Sequence, residues 1–222
     1  MDEDTKKAEM IIPQSVRNTG WYKSSGITSS QVFNLYLDSK IERRDLFSIG
    51  ADSNFLIGSS PIVHDEKVLA LGTDGIIKSY NLTTEEIAWQ NDSFKDLSKK
   101  GFLDQLSSNY LSGGMSYSEG FVYATSGAGA VIAINAKTGE SVWSAQLSSP
   151  SRATPLKTIK DVLIVQASDN KTFALSSKTG AILWTHIGIS EEITSLRTSA
   201  PVANNNSAVS YTHLTLPTTP YV

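Results

Sequence analysis

A 15-residue pattern occurs three times in this chain, and it constrains the fold more than any other feature of the sequence. Each copy has a short apolar segment, a polar turn and a second segment that ends at a tryptophan. The copies span residues 75–89, 129–143 and 170–184. Two short apolar segments on either side of a turn are typical of a β-hairpin. The sequence therefore predicts a protein built from repeated antiparallel strands.

The three copies align without gaps, and the same residue types recur at the same positions. In each copy a threonine lies five residues before the tryptophan, and in two copies a glycine follows that threonine. These structural repeat residues are Trp89, Trp143, Trp184, Thr84, Thr138, Thr179, Gly139 and Gly180. Glycine accepts the positive φ of a tight turn, and a threonine hydroxyl can hydrogen-bond locally to hold it. We therefore interpret the pattern as a structural repeat.

The spacing of the tryptophans predicts the architecture. They are 54 and 41 residues apart, and the longer interval includes a polar insertion, Asn91–Gly114. A period near 40 residues with four short strands is typical of a β-propeller blade, which buries its faces against its neighbours. We expect each tryptophan to lie at a contact between blades, because its apolar surface is large. The predicted blades are residues 59–92, 113–146 and 153–187, and a further blade starts at residue 199.

The repeat also resembles a known family. The segment Ala133-Ile134-Asn135-Ala136-Lys137-Thr138-Gly139-Glu140-Ser141-Val142-Trp143 resembles the repeat of PQQ-like β-propellers. Trp21–Gly26 and the blade starts Ser60-Pro61, Gly113-Gly114-Met115 and Ser199-Ala200-Pro201 resemble the BamB group of that superfamily. The resemblance covers about Trp21 to Asn206. It implies an all-β, eight-bladed ring, of which this chain carries about three four-stranded antiparallel blades and parts of others.

The resemblance to BamB implies a function. It implies a non-enzymatic scaffold without a cofactor at the periplasmic face of the outer membrane, held there only by a lipid anchor outside this chain. The implied partner is the POTRA region of the barrel-forming subunit of the β-barrel assembly machinery, and unfolded outer-membrane proteins are a further implied partner. Matching the family's binding loop implies contacts by Ile193, Leu196 and Arg197. An apolar side chain beside an arginine is a common composition of interface hot spots.

An enzyme remains open as an alternative. A PQQ-dependent quinoprotein dehydrogenase would need a calcium site of Glu, Asn and Asp oxygens and an aspartate base. The candidate oxygens of Asp74, Asp169 and Asn170 fall in predicted repeat turns, and the chain has no cysteine for the vicinal pair of many such enzymes. His64 and His186 have no second histidine at metal-ligand spacing. We therefore expect no catalytic or metal-binding residues.

The remaining segments are less informative. Residues 1–20 are polar and predict a linker or tether, and Leu46–Gly50 predicts a strand. A net charge of −3 gives no indication of a nucleic-acid partner. The composition changes after Ser207, and the codons implied by Val209–Thr218 resemble a transposon end that runs into a sequencing adapter. We therefore predict that residues 208–222 are a translated adapter sequence.

Overall fold

The computed structural model describes residues 14–18, 20–23, 34–36, 43–50, 59–94, 113–151, 153–188, 200–203 and 208–209. The strands in these ranges are β1 (Ile62–His64), β2 (Lys67–Leu71), β3 (Ile77–Asn81), β4 (Glu86–Asn91), β5 (Met115–Ser118), β6 (Phe121–Thr125), β7 (Ala130–Asn135), β8 (Ser141–Gln146), β9 (Leu156–Lys157), β10 (Val162–Gln166), β11 (Lys171–Ser176), β12 (Ile182–Ile187), β13 (Val202–Ala203) and β14 (Ala208–Val209). No helix among these residues is both long and apolar enough to cross a membrane.

The first twelve strands form three antiparallel sheets, in each of which every strand pairs with the next one along the chain. The first blade is β1–β4, the second is β5–β8 and the third is β9–β12. Strands β13 and β14 form a two-stranded sheet in which Val202 pairs with Val209. The predicted all-β propeller of four-stranded blades is confirmed. The origin of residues 208–222, which include β14, stays a prediction.

The apolar core lies in the two seams between consecutive blades, and β7 shows why. Alternate residues of a strand point to opposite faces of its sheet. Ala130, Ile132 and Ile134 of β7 belong to the apolar cluster shared with the first blade. Val131 and Ala133 belong to the cluster shared with the third blade. A strand that is buried on both faces must be apolar along its length, which accounts for the unbroken apolar run in the sequence.

All three blades have a β-bulge at the same place, next to the repeat tryptophan. The register shifts so that the residue immediately before each tryptophan has no direct partner on the neighbouring strand. The unpaired residues are Ala88, Val142 and Leu183. A bulge re-aims the side chains beside it and increases the local twist. The three tryptophans therefore share the same local backbone geometry as well as the same position in the blade.

Residues 43–50 pack on the first blade and take the side on which a preceding blade would lie. The Phe47 ring stacks on Tyr80 of β3, with ring centroids 5.3 Å apart. Lys78 Nζ donates a hydrogen bond of 2.9 Å to the Ser48 carbonyl. The strand predicted at Leu46–Gly50 is wrong, because this segment joins none of the described sheets. Side-chain contacts and a backbone hydrogen bond of 2.9 Å from the Thr73 amide to the Gly50 carbonyl hold it on the blade.

Candidate functional site

The predicted partner-binding residues Ile193, Leu196 and Arg197 lie outside the described residues, between Gly188 and Ala200. Their role therefore stays a prediction. Among the described residues, the side-chain contacts that bear on function lie in the seams between blades.

In the first seam, Trp89 of β4 docks on the turn between β7 and β8 of the second blade. Its Nε1 donates a hydrogen bond of 3.1 Å to the Ala136 carbonyl. Gly139 lies beneath the indole, and a Cβ at that position would lie 2.6 Å from the ring. Gly139 also has a backbone φ of +79°, a conformation that residues with a Cβ rarely adopt. Two independent constraints, the turn and the tryptophan, therefore require glycine here.

The second seam repeats this geometry. Trp143 Nε1 donates a hydrogen bond of 2.9 Å to the Ser177 carbonyl. A Cβ at Gly180 would lie 2.5 Å from the Trp143 ring. In both seams the accepting carbonyl lies three residues before the glycine. The tryptophan and glycine of the repeat thus act between consecutive blades, although the sequence pattern places them together in one unit.

Trp184 occupies the same position in the third blade but is 47% exposed, whereas Trp89 is 9% exposed. All six residues of β12 are exposed. Its large apolar side chains Ile182, Leu183 and Ile187 are among them. Among the described residues, therefore, no turn receives the Trp184 indole as Gly139 and Gly180 receive the other two.

The turn between the third and fourth strands of each blade depends on a position that the repeat alignment did not single out. Asn135 Oδ1 accepts hydrogen bonds from the amides of Lys137 and Thr138, and Asn81 has the same role in the first blade. Ser176 takes this position in the third blade. The signal was present, since Asn81 and Asn135 both lie eight residues before a repeat tryptophan. Asparagine is favoured there because its side chain can mimic a backbone turn.

Three rings meet beside the first seam. His64, at the end of β1, stacks on Tyr117 of the second blade with ring centroids 3.6 Å apart. Tyr22 meets His64 edge-on at 5.7 Å. His64 Nε2 lies 3.1 Å from Asp65 Oδ2, and its buried Nδ1 has no hydrogen-bond partner among the described residues. Burial lowers the pKa of His64; Asp65 opposes this change and Lys67 adds to it.

The second seam holds ion pairs on the same side. Lys157 is the counterpart of Tyr117 in the third blade. It pairs with Leu163 of β10 as Tyr117 pairs with Val122 of β6. Its Nζ lies 2.9 Å from Glu119 of the second blade and 3.2 Å from Asp161. Although burial opposes it, hydrogen bonds to these two carboxylates raise the pKa of Lys157. Hydrogen bonds from Lys178 and Lys157 lower the pKa of Asp161.

The acidic residues considered for a calcium site have structural contacts in turns. Asp74 Oδ1 accepts a hydrogen bond of 3.1 Å from the Ile76 amide. Asp169 Oδ2 binds Lys171 Nζ and Ser149 Oγ, each at 2.5 Å. Among the described residues, no group of three or more His, Cys, Asp and Glu side chains could hold a metal ion.

Four-stranded blades joined by a tryptophan that docks on the next Thr-Gly turn define a PQQ-like repeat β-propeller. Residues 58–214 match the sequence model of the family described as outer membrane protein assembly factor BamB. The chain belongs to this family.

Individual relatives agree with this assignment. The chain is 30% identical to the outer membrane protein assembly factor BamB of Yersinia pestis, over 67% of this chain and 37% of that protein. It is 25% identical to an uncharacterized protein of Rickettsia prowazekii, over 68% of this chain and 34% of that protein. The chain thus spans about a third of the length of these curated relatives. The crystal structure of BamB from Moraxella catarrhalis has the same fold, with a TM-score of 0.53, 22% identity and coverage of 66% of this chain and 40% of that one.

The docking geometry makes a prediction about Gly139. Gly139→Ala should lower the free energy of unfolding by about 2–4 kcal/mol, because the methyl group adds overpacking against Trp89 to the cost of positive φ. Gly120→Ala is the matched control, because Gly120 has φ of +85° but a methyl group added there would meet no atom within 4 Å. Chemical denaturation of both variants separates the two costs. Equal losses would show that the indole contact is not tight.

The environment of His64 predicts a pH dependence. Its pKa is lower in the folded chain than the ordinary value of 6.5, so the unfolded chain binds more protons between these two values. Stability should therefore fall as the pH falls from about 6.5 toward the folded pKa. His64→Phe keeps a ring against Tyr117 and should reduce this slope. Urea denaturation at several pH values measures it, and equal slopes for parent and variant would contradict the prediction.

Proposed function

We propose that this chain belongs to a non-enzymatic scaffold that supports the assembly of outer-membrane proteins by binding the POTRA region of the barrel-forming subunit. The observation that carries the proposal is the family match over residues 58–214. The seams support it, because interlocked blades give a rigid frame from which loops can present side chains to a partner. The proposed location is the periplasmic face of the outer membrane, with attachment only through a lipid anchor.

The proposed partner contact is the segment that carries Ile193, Leu196 and Arg197. In the sequence this segment follows β12 and leads into the Ser199-Ala200-Pro201 blade start. Apolar side chains supply desolvation in an interface, and an arginine supplies charge-assisted, often bidentate hydrogen bonds. Unfolded outer-membrane proteins are a second proposed class of partner for the same scaffold.

A binding measurement tests the proposed contact. Full-length protein with Leu196→Asp and Arg197→Glu should bind purified POTRA domains at least about tenfold more weakly, because truncation of interface hot spots costs about 2 kcal/mol or more. Surface plasmon resonance or a pull-down measures the loss. Unchanged binding would contradict the assignment of these residues.

The matched control changes the same chemistry elsewhere. Ile159 is 79% exposed beside the exposed Lys160 in the turn between β9 and β10. Ile159→Asp with Lys160→Glu should therefore leave POTRA binding unchanged. The parent full-length protein also tests the alternative function. Binding of PQQ and calcium, together with oxidation of an alcohol, would establish a quinoprotein enzyme and overturn the scaffold proposal.

A further inference from the structure

A cleft of about 380 Å³ opens between the first and second blades, beside the ring cluster of His64 and Tyr117. Its lining residues are His64, Asp65, Lys67, Leu69, Tyr117, Gly120, Ala136 and Lys137. Leu69 and Ala136 are buried and supply an apolar lining, and the half-buried Tyr117 supplies an aromatic one. A mostly apolar cleft with a few convergent polar groups is typical of a binding site.

The charges of the cleft favour an anion. Lys67 comes from the start of β2 and Lys137 from the turn between β7 and β8, so each blade contributes one lysine to the lining. Neither lysine forms an ion pair with another described residue within 4.0 Å. The single carboxylate of the lining, Asp65, has its Oδ2 3.1 Å from His64 Nε2. Among the described residues, the lining thus carries two positive charges without an ion-pair partner against the one negative charge of Asp65.

We propose that this cleft binds an acidic side chain of a partner protein, together with an apolar residue beside it in the partner's sequence. The carboxylate is placed between the ammonium groups of Lys67 and Lys137, and the apolar side chain lies on Leu69, Ala136 and Tyr117. Charge complementarity selects this occupant, because the two lysines repel a basic segment. The site shares no residue with the segment of Ile193, Leu196 and Arg197, and it does not depend on the proposed function.

A capped peptide tests the proposal directly. The probe is acetyl-Leu-Glu-Phe-amide, which has no terminal charges, and its control is the same peptide with glutamine in place of glutamate. Both are titrated into the ¹⁵N-labelled full chain, and the amide signals of Gly120 and Lys137 are followed. The glutamate peptide should shift these signals and bind about fivefold or more tightly than the glutamine peptide, and added salt should weaken it by screening.

Substitutions assign the charges. Lys67→Gln and Lys137→Gln should each raise the Kd for the glutamate peptide by about threefold to tenfold, a loss expected for one charge-assisted contact. Lys137→Arg keeps the charge and should keep the affinity. Lys160→Gln is the matched control on a turn of the third blade and should change nothing. Equal affinity for the two peptides, unchanged affinity in both glutamine variants, or no shift at millimolar peptide would overturn the proposal.

Discussion

The contact of a tryptophan indole with a glycine turn on the next blade is the interaction on which the rest of the structure depends. A four-stranded antiparallel sheet with two apolar faces is stable only if both faces are covered. Trp89 and Trp143 each cover apolar surface and place one indole N–H on a backbone carbonyl of the following blade. The hydrogen bond fixes the position of the indole on the turn, and the glycine leaves room for the ring. Stability is therefore shared along the row of blades.

Much of the fold could be predicted from the sequence because its signals are local. Short apolar segments and turn residues act over a few residues, and their recurrence along the chain predicts the repeat and the blades. The role of Gly139 was only half predicted: its positive φ is a local property, but its contact with Trp89 joins residues 50 positions apart. The strand prediction for Leu46–Gly50 was wrong for a related reason. An apolar run predicts burial, but it does not say whether the segment pairs in a sheet or only packs on one.

The candidate sites depend on residues that break the repeat. Where the first seam has the ring pair of His64 and Tyr117, the second has the ion pairs of Lys157 with Glu119 and Asp161. A repeat alignment averages over such differences, so the period could not predict them. The two seams thus share one docking geometry and differ in the chemistry that they offer beside it. The binding cleft that we propose lies in the first seam, where neither lysine has an ion-pair partner among the described residues.

The most direct measurement compares two tryptophans that have the same bulged position but different surroundings. Trp89 docks on a following blade, whereas Trp184 is exposed among the described residues. In chemical denaturation of the full chain, Trp89→Ala should lower the free energy of unfolding by about 3–5 kcal/mol, as for a large buried side chain. Trp184→Ala should lower it by less than about 1 kcal/mol. Equal losses for the two substitutions would contradict the view that the docked indole holds the blades together.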